Sequence, residues 1–304
     1  MNLISIIIVN YNTPIETKAC LDSLFKVKTP DFKFNVVVVD NGSKQVLALG
    51  SKYLDHGVDL LRSEANLGFT GGNNLGISHA IKKYQADYIL MLNSDTVVAP
   101  DFLEILYHKL ESDPKAGIAT PKMYFHRGYE FFDKSYSPLQ KHQVIWYAGG
   151  TVDWVNLVSF HRGVDEVDRG QFDQLTESDF ATGCCVLIKR EMIERVGILD
   201  KKFFLYSEDV DYSLRVKKAG FKILFVPSSV IWHKIGRSTG GAGSKLQQYY
   251  QTRNRLLVTM KHAPTKAKLT ALKLLLIWLF KGNITERKAV LDFVFGRFGK
   301  QAIV

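Results

Sequence analysis

The sequence predicts an α/β protein built on a doubly wound, mostly parallel sheet, with a basic helical extension at the C-terminus. Three observations carry this reading. β-Branched runs alternate with helical segments over the first hundred residues, polar residues collect just after those runs, and the pattern turns helical and basic beyond residue 245. The chain has 304 residues, 46% of them hydrophobic and 23% charged, so it can bury a large core and is not a disordered polymer.

Ile4 to Val9 and Phe34 to Val39 are near-continuous apolar runs, as expected of strands covered on both faces. Between them, Glu16 to Phe25 fits a helix entered at Thr13-Pro14, where the fixed φ of proline suits an early helical position. Asp59 to Leu61 reads as a short strand, Asn73 to Tyr84 as a helix and Tyr88 to Leu92 as another buried strand. This βαβαβ order makes the sheet parallel. From Tyr124 to Asp179 the periodicity loosens into an aromatic and polar insertion. Phe180 to Lys189 reads as a strand followed by a helix through Glu194, and Lys222 to Val226 as a strand stopped by Pro227. The tail reads as helical from Gln247, with breaks near Pro264 and Gly282. The expected division is a domain over 1–245 and a helical extension over 246–304.

A formal charge of +10 calls for an anionic partner: nucleic acid, a lipid surface or a phosphorylated substrate. Between Lys261 and Val304 nine Lys or Arg face only Glu286 and Asp292, so +7 of the +10 lies in the tail. With no nucleic-acid-binding motif in the chain, nucleic acid is not expected as a partner. Cys20, Cys184 and Cys185 lack C-x-x-C or Cys/His metal spacing, which predicts a reducing cytoplasm. Met1 leads straight into an apolar run without a basic n-region or cleavage site, so a buried strand is expected there rather than a signal peptide. Leu269 to Phe280 is interrupted by Lys273 and falls short of the roughly 20 residues a spanning helix needs.

Ligands on doubly wound sheets sit beyond the carboxyl ends of the strands. There the sequence has Asn10-Tyr11-Asn12, Asp40-Asn41-Gly42-Ser43 and Asn93-Ser94-Asp95. Asp95, ending an apolar run, suits a divalent cation held against a diphosphate; the alternative is a turn or a cap of the helix after Pro100. Asn66 to Gly76 packs four glycines into a loop opening a helix, where backbone N–H groups can approach a ligand, although it does not match a dinucleotide fingerprint. Glu208, Asp209 and Asp211 crowd three acids into four residues, so one has reason to carry a raised pKa and accept a proton. The alternative is an acidic first turn with an Asp211–Arg215 ion pair. His233, after Trp232, reads as either structural or a metal ligand.

Together, Ile7 to Asn12, Val39 to Ser43, Asn66 to Gly76, Leu92 to Asp95, Thr182-Gly183, Tyr206 to Asp211 and Trp232-His233 resemble the ordered motifs of glycosyltransferase family two. The likeness is greatest to its bacterial rhamnosyltransferase-like branch and spans residues 3 to about 255. It implies a GT-A fold, a nucleotide-diphosphate sugar as donor and inversion at the anomeric carbon. On this resemblance Asn10, Tyr11 and Asp40 line the nucleoside pocket, while Asn66, Gly68, Asn73 and Asn93 flank the donor. Asp95 coordinates magnesium or manganese with help from His233, Asp209 is the general base, and Glu208 orients the acceptor or donor sugar. The sequence departs from the family's D-x-D at Asn93, which removes one carboxylate from the metal clamp.

The implied activity is transfer of a sugar, rhamnose first, to a hydroxyl of a saccharide or lipid-linked acceptor in bacterial surface polysaccharide synthesis. Galactosyl, galactofuranosyl or N-acetylhexosaminyl transfer is the alternative within the family, and a catalytically inactive carbohydrate-binding scaffold the alternative outside it. In the tail, Leu269, Leu272, Leu276, Leu279 and Phe280 recur at helical spacing among basic residues. Such a helix either lies in the interface of an anionic bilayer or packs on the domain. The expected location is the cytoplasm, with the inner face of the membrane as a docking surface.

Overall fold

The four early runs form the parallel half of the sheet. β1 (Leu3–Asn10), β2 (Lys33–Asn41), β3 (Val58–Ser63) and β4 (Tyr88–Asn93) lie in the order β3-β2-β1-β4. The structure, a computed structural model, describes residues 1–132, 135–235 and 243–303. β1 shows why these runs do not alternate: Ile4, Ile6 and Ile8 enter one apolar layer and Ile7 the other, all fully buried. The first layer includes α1 (Pro14–Leu24) and α4 (Phe102–Ser112). The second includes α3 (Gly68–His79) and α6 (Glu208–Lys218). A short α2 (Ser51–Leu54) precedes β3.

α3 begins at Gly68, five residues before the expected start at Asn73. Its glycines therefore serve helix-on-sheet packing as well as a loop. A Cβ on Gly76 would lie 2.4 Å from Ile7 Cγ2, so only glycine lets the helix approach β1 this closely.

Beyond β4 the sheet becomes mixed. β5 (Thr96–Val98) turns back to pair antiparallel with β12 (Lys222–His233). β11 (Cys185–Lys189) sits antiparallel between β4 and β6 (Ala116–Phe125), and it leads into α5 (Arg190–Val196). The expected strand over 180–189 thus keeps only its second half. β12 does not stop at Pro227. Its register against β6 shifts between Val226 and Val230, and this irregularity accommodates a residue without an N–H. The loosely patterned insertion carries β7 (Ile145–Tyr147), a hairpin of β8 (Gly150–Asp153) and β9 (Val158–His161), and β10 (Thr176–Glu177).

The tail folds as α7 (Lys245–His262), α8 (Thr265–Lys281) and α9 (Ile284–Val294), broken at Pro264 and Gly282 as expected. Leu256, Ala267, Ala271 and Val290 bury themselves together with Leu157 of the β8–β9 turn, which fastens the extension to the sheet domain. Among the described residues no helix is long and apolar enough to cross a membrane. The three cysteines are free and buried.

Candidate active site

Strand ends and helix starts converge on one cavity of about 930 Å³ at the carboxyl edge of the parallel strands. Tyr11, Asn66, Gly68, Asn73, Asn93, Asp95, Glu208, Asp209 and His233 all contribute to its wall. Asn10 and Asp40 lie behind it. Asn10 Nδ2 donates to Asp40 Oδ1 at 3.1 Å and to Ser43 Oγ at 3.0 Å, while its Oδ1 accepts from Thr17 Oγ1 at 2.9 Å. Burial favours the neutral Asp40 carboxyl, but bonds from Ser43, the Leu47 N–H, Asn10 and Arg62 outweigh it and hold the pKa below the usual range. This pair ties the β1 and β2 ends together beneath the site.

Asn41, to which no role was given from sequence, joins the next two loops. Its Nδ2 donates to Gly68 O at 3.0 Å and its Oδ1 accepts from Leu67 N at 3.0 Å. Gly68 has φ +73°, and a Cβ there would meet Phe204 O at 2.2 Å, so glycine is required where α3 meets the segment leading to the acids. Asn73 caps the wall with Nδ2 donating to Phe69 O at 3.0 Å.

The β5–β12 pairing sets Thr96 opposite His233 and thereby brings Asp95 and His233 together. His233 Nε2 lies 3.0 Å from Asp95 Oδ1, and both residues are buried. His233 Nδ1 is buried without a partner. Trp146 stacks edge-on against His233 with ring centroids 4.4 Å apart and also meets His161. Burial drives His161 down to about 4, so this imidazole is neutral near pH 7. Trp146 and His161 come from the unpatterned insertion and carry no sequence signal.

Asp95 Oδ1 and His233 Nε2, 3.0 Å apart, are spaced to share a divalent cation as an oxygen and a nitrogen ligand, leaving positions open for phosphate oxygens. The Asn93 carboxamide makes no hydrogen bond to a described residue and stands beside them at the strand end. Among the described residues, the cluster of three metal-type side chains, Asp31, Glu104 and His108, lies outside the cavity wall.

In the wall of the same cavity, Glu208 and Asp209 open α6. Asp209 Oδ2 accepts from Gly183 N at 3.0 Å and Oδ1 from its neighbour Val210 N at 2.8 Å. Burial raises the Asp209 pKa against the pull of these bonds. Burial raises Glu208 much further, with the charge of Asp209 adding to it, and Glu208 Oε2 is buried without a partner. Asp211 belongs to the structure instead. It is fully buried, bonded to Arg215 at 3.0 Å, Lys261 at 2.6 Å and His262 at 2.7 Å, and these bonds overcome burial to hold it at about 2.

The profile of the glycosyltransferase-like family 2 matches residues 2–259. The chain belongs to this family. It is accordingly a glycosyltransferase, and its mixed sheet is the GT-A fold. The family match takes in most of α7 but not α8 or α9. Two curated relatives are similar over most of the chain. The low-salt glycan biosynthesis hexosyltransferase Agl10 of Haloferax volcanii is 24% identical over 289 residues, 94% of this chain and 86% of that protein. The N-acetylglucosaminyl-diphospho-decaprenol L-rhamnosyltransferase of Mycobacterium tuberculosis is 26% identical over 217 residues, 68% of each chain. Among solved structures, GalNAc-T7 with UDP, GalNAc and Mn2+ superposes with a TM-score of 0.58 at 18% identity. That match covers 88% of this chain and 53% of GalNAc-T7, so the chain spans about half the length of that neighbour.

Proposed function

We propose that the protein transfers a hexose, rhamnose first, from a nucleoside-diphosphate sugar to a hydroxyl of a saccharide or lipid-linked acceptor, with inversion. The observation that carries this reading is the meeting of Asp95–His233 and Glu208–Asp209 in the wall of one cavity. Residues 1–245 hold the donor machinery in this reading, and 246–304 complete the acceptor side. Rhamnosyl transfer is favoured by the name of the mycobacterial relative.

The donor's diphosphate lies toward Asp95 and His233, which would hold the divalent cation. When bound, that cation offsets the negative charge that grows on the diphosphate as it leaves. Asn93 contributes a neutral amide to the same edge. Asp209, its carboxylate oriented by two N–H donors, accepts the proton of the acceptor hydroxyl. The hydroxyl oxygen forms a bond to the anomeric carbon from the opposite face, the bond to the diphosphate breaks, and the nucleotide leaves with the electron pair. Glu208, kept protonated by burial, is a hydrogen-bond donor to the sugar. The enzyme acts in the cytoplasm, with the outward face of α8 docked on the anionic inner surface of the membrane.

The test is a panel of nucleotide sugars, screened by thermal shift with manganese, with magnesium and with chelator. One or more donors should raise the melting temperature only with metal, since a ligand of the native state stabilises it. Asp95→Ala should abolish the metal-dependent part of the shift and His233→Ala should reduce it. An unchanged metal dependence in both variants would remove these residues from the cation site, and the absence of any donor-induced shift would leave the scaffold reading.

A further inference from the structure

The cavity extends beyond the donor residues toward a wall to which the C-terminal helices contribute Arg255 and Val258 of α7 and Trp278 of α8. Trp154 and Leu157 of the β8–β9 hairpin complete this arm. Trp154, Leu157 and Trp278 belong to one apolar cluster, so the arm has a greasy floor.

Arg255 is the anomaly in it. It is half-buried, yet among the described residues no carboxylate lies within ion-pair distance of its guanidinium. Its Nε donates to Leu157 O and its Nη2 to Asn156 O, and the guanidinium stands 5.8 Å from the centre of the Trp278 ring. No described residue accepts from Nη1. Glu286, also in the cavity wall, gives one carboxylate oxygen, Oε2, to the Asn283 N–H at the start of α9 and makes no ion pair with Arg255. The neighbouring Arg253 is different. Fully buried, it donates to Lys202 O, Arg297 O and Gly299 O and packs against Tyr249 and Tyr250, so its donors are committed to the fold.

A half-desolvated arginine without an ion-pair partner is a ready site for phosphate, whose oxygens accept from the Nη1 donors that the fold leaves open. An indole pair beside it suits an apolar chain. We propose that this arm binds the acceptor through an anionic, apolar-tailed group: a phosphate or diphosphate on Arg255, and its hydrocarbon stem along Trp154 and Trp278. The word acceptor rests on the transferase reading; the binding itself does not.

Farnesyl diphosphate, farnesol and inorganic pyrophosphate are the probes. Each is titrated into the full chain, with the quenching of tryptophan fluorescence and calorimetry as readouts. Manganese and a mixture of uridine, guanosine and thymidine diphosphates are kept saturating so that the donor side is filled. Farnesyl diphosphate should bind at least ten-fold more tightly than either fragment. Arg255→Gln should bring it to the level of farnesol, and Arg255→Lys should retain part of the advantage, with melting temperatures checking that each variant folds. Equal binding of farnesol and farnesyl diphosphate, equal binding by the parent and Arg255→Gln, or no binding of farnesyl diphosphate overturns the proposal. Binding seen only in a parallel titration without the nucleotides overturns it as well, because the probe would then occupy the donor side. Nucleotide-sugar hydrolysis, measured separately, tells the two readings apart. Arg255-dependent binding in a chain that neither binds nor hydrolyses a donor keeps the subsite and removes the transferase reading, and the converse removes only the subsite.

Discussion

Glu208 and Asp209 are adjacent in sequence, and their surroundings assign them opposite protonation states. Asp209 receives two N–H donors, which favour its charged form, whereas one Glu208 oxygen is buried with no partner. When the pair holds one proton, Glu208 therefore keeps it. Asp209→Asn preserves size and removes the base, so transfer should fall by roughly 10²- to 10⁴-fold while nucleotide affinity changes little. Transfer at the parent rate would pass the role to Glu208. Because burial raises Asp209, the acid limb of the rate profile should lie above the pH at which an exposed aspartate titrates. Glu208 also makes a prediction about stability. Its pKa is higher folded than unfolded, so its contribution is full below the ordinary glutamate value and is lost as the pH rises toward the folded value. Glu208→Gln, which cannot ionise, should melt higher than the parent at pH 8, with a gap that narrows toward pH 4 in thermal melts across that range.

The approach to α6 is an element held from outside. Tyr206 and Ser207, with φ of 69° and 66°, are consecutive left-handed residues immediately before the two acids. Left-handed backbone costs a side-chain-bearing residue about 1 kcal/mol or more. Asn254 of α7 opposes that cost: its buried amide donates to Leu205 O at 2.9 Å and Tyr206 O at 2.7 Å, while Arg253 Nε donates to its Oδ1 at 3.0 Å. Asn254→Ala should therefore lower kcat by at least ten-fold with little change in donor KM, and shift the acid limb of the pH profile. Adding Ser207→Gly, which tolerates positive φ, should restore part of kcat; a purely structural loss would not respond this way. None of this was visible in the sequence. Asn254 lies 48 and 49 residues from its partners, and periodicity reads it only as a polar helix position. Tyrosine and serine give no warning of left-handed backbone. The parallel strands and their polar ends were legible because burial on two faces leaves an unbroken apolar run. The start of α3 was not, because a glycine-rich stretch has low helix propensity and only its packing on β1 overrides that.

Over the whole molecule, the C-terminal extension has two faces with different work. The inner face of α8 buries Ala267 and Ala271 and sends Trp278 into the cavity wall. Its outer face exposes Leu269, Leu272, Leu276, Ile277 and Phe280, each between 46% and 71% accessible. Leu274, Leu275, Trp278 and Leu279 pack with the two alanines on the inner cluster, so the large apolar residues left on the outer face exceed what a helix needs for packing on its own domain. Lys266, Lys273 and Lys281 accompany the apolar face and are exposed with it. Near an anionic bilayer each basic residue contributes about 1 kcal/mol, and the leucines add shallow burial. Truncation after Lys261 would not test this, because it strips Ala267, Ala271 and Val290 from Leu157 and Leu256 and opens a core. Leu272→Glu with Leu276→Glu touches only the exposed face, where substitutions cost within about 0.5 kcal/mol of stability each. In flotation with phosphatidylglycerol vesicles, the parent should rise at low salt and less at high salt, while the double variant stays at the bottom with its melting temperature nearly unchanged. A parent chain that does not float at low salt would overturn membrane docking, and sedimentation would then ask whether a second copy covers the same face.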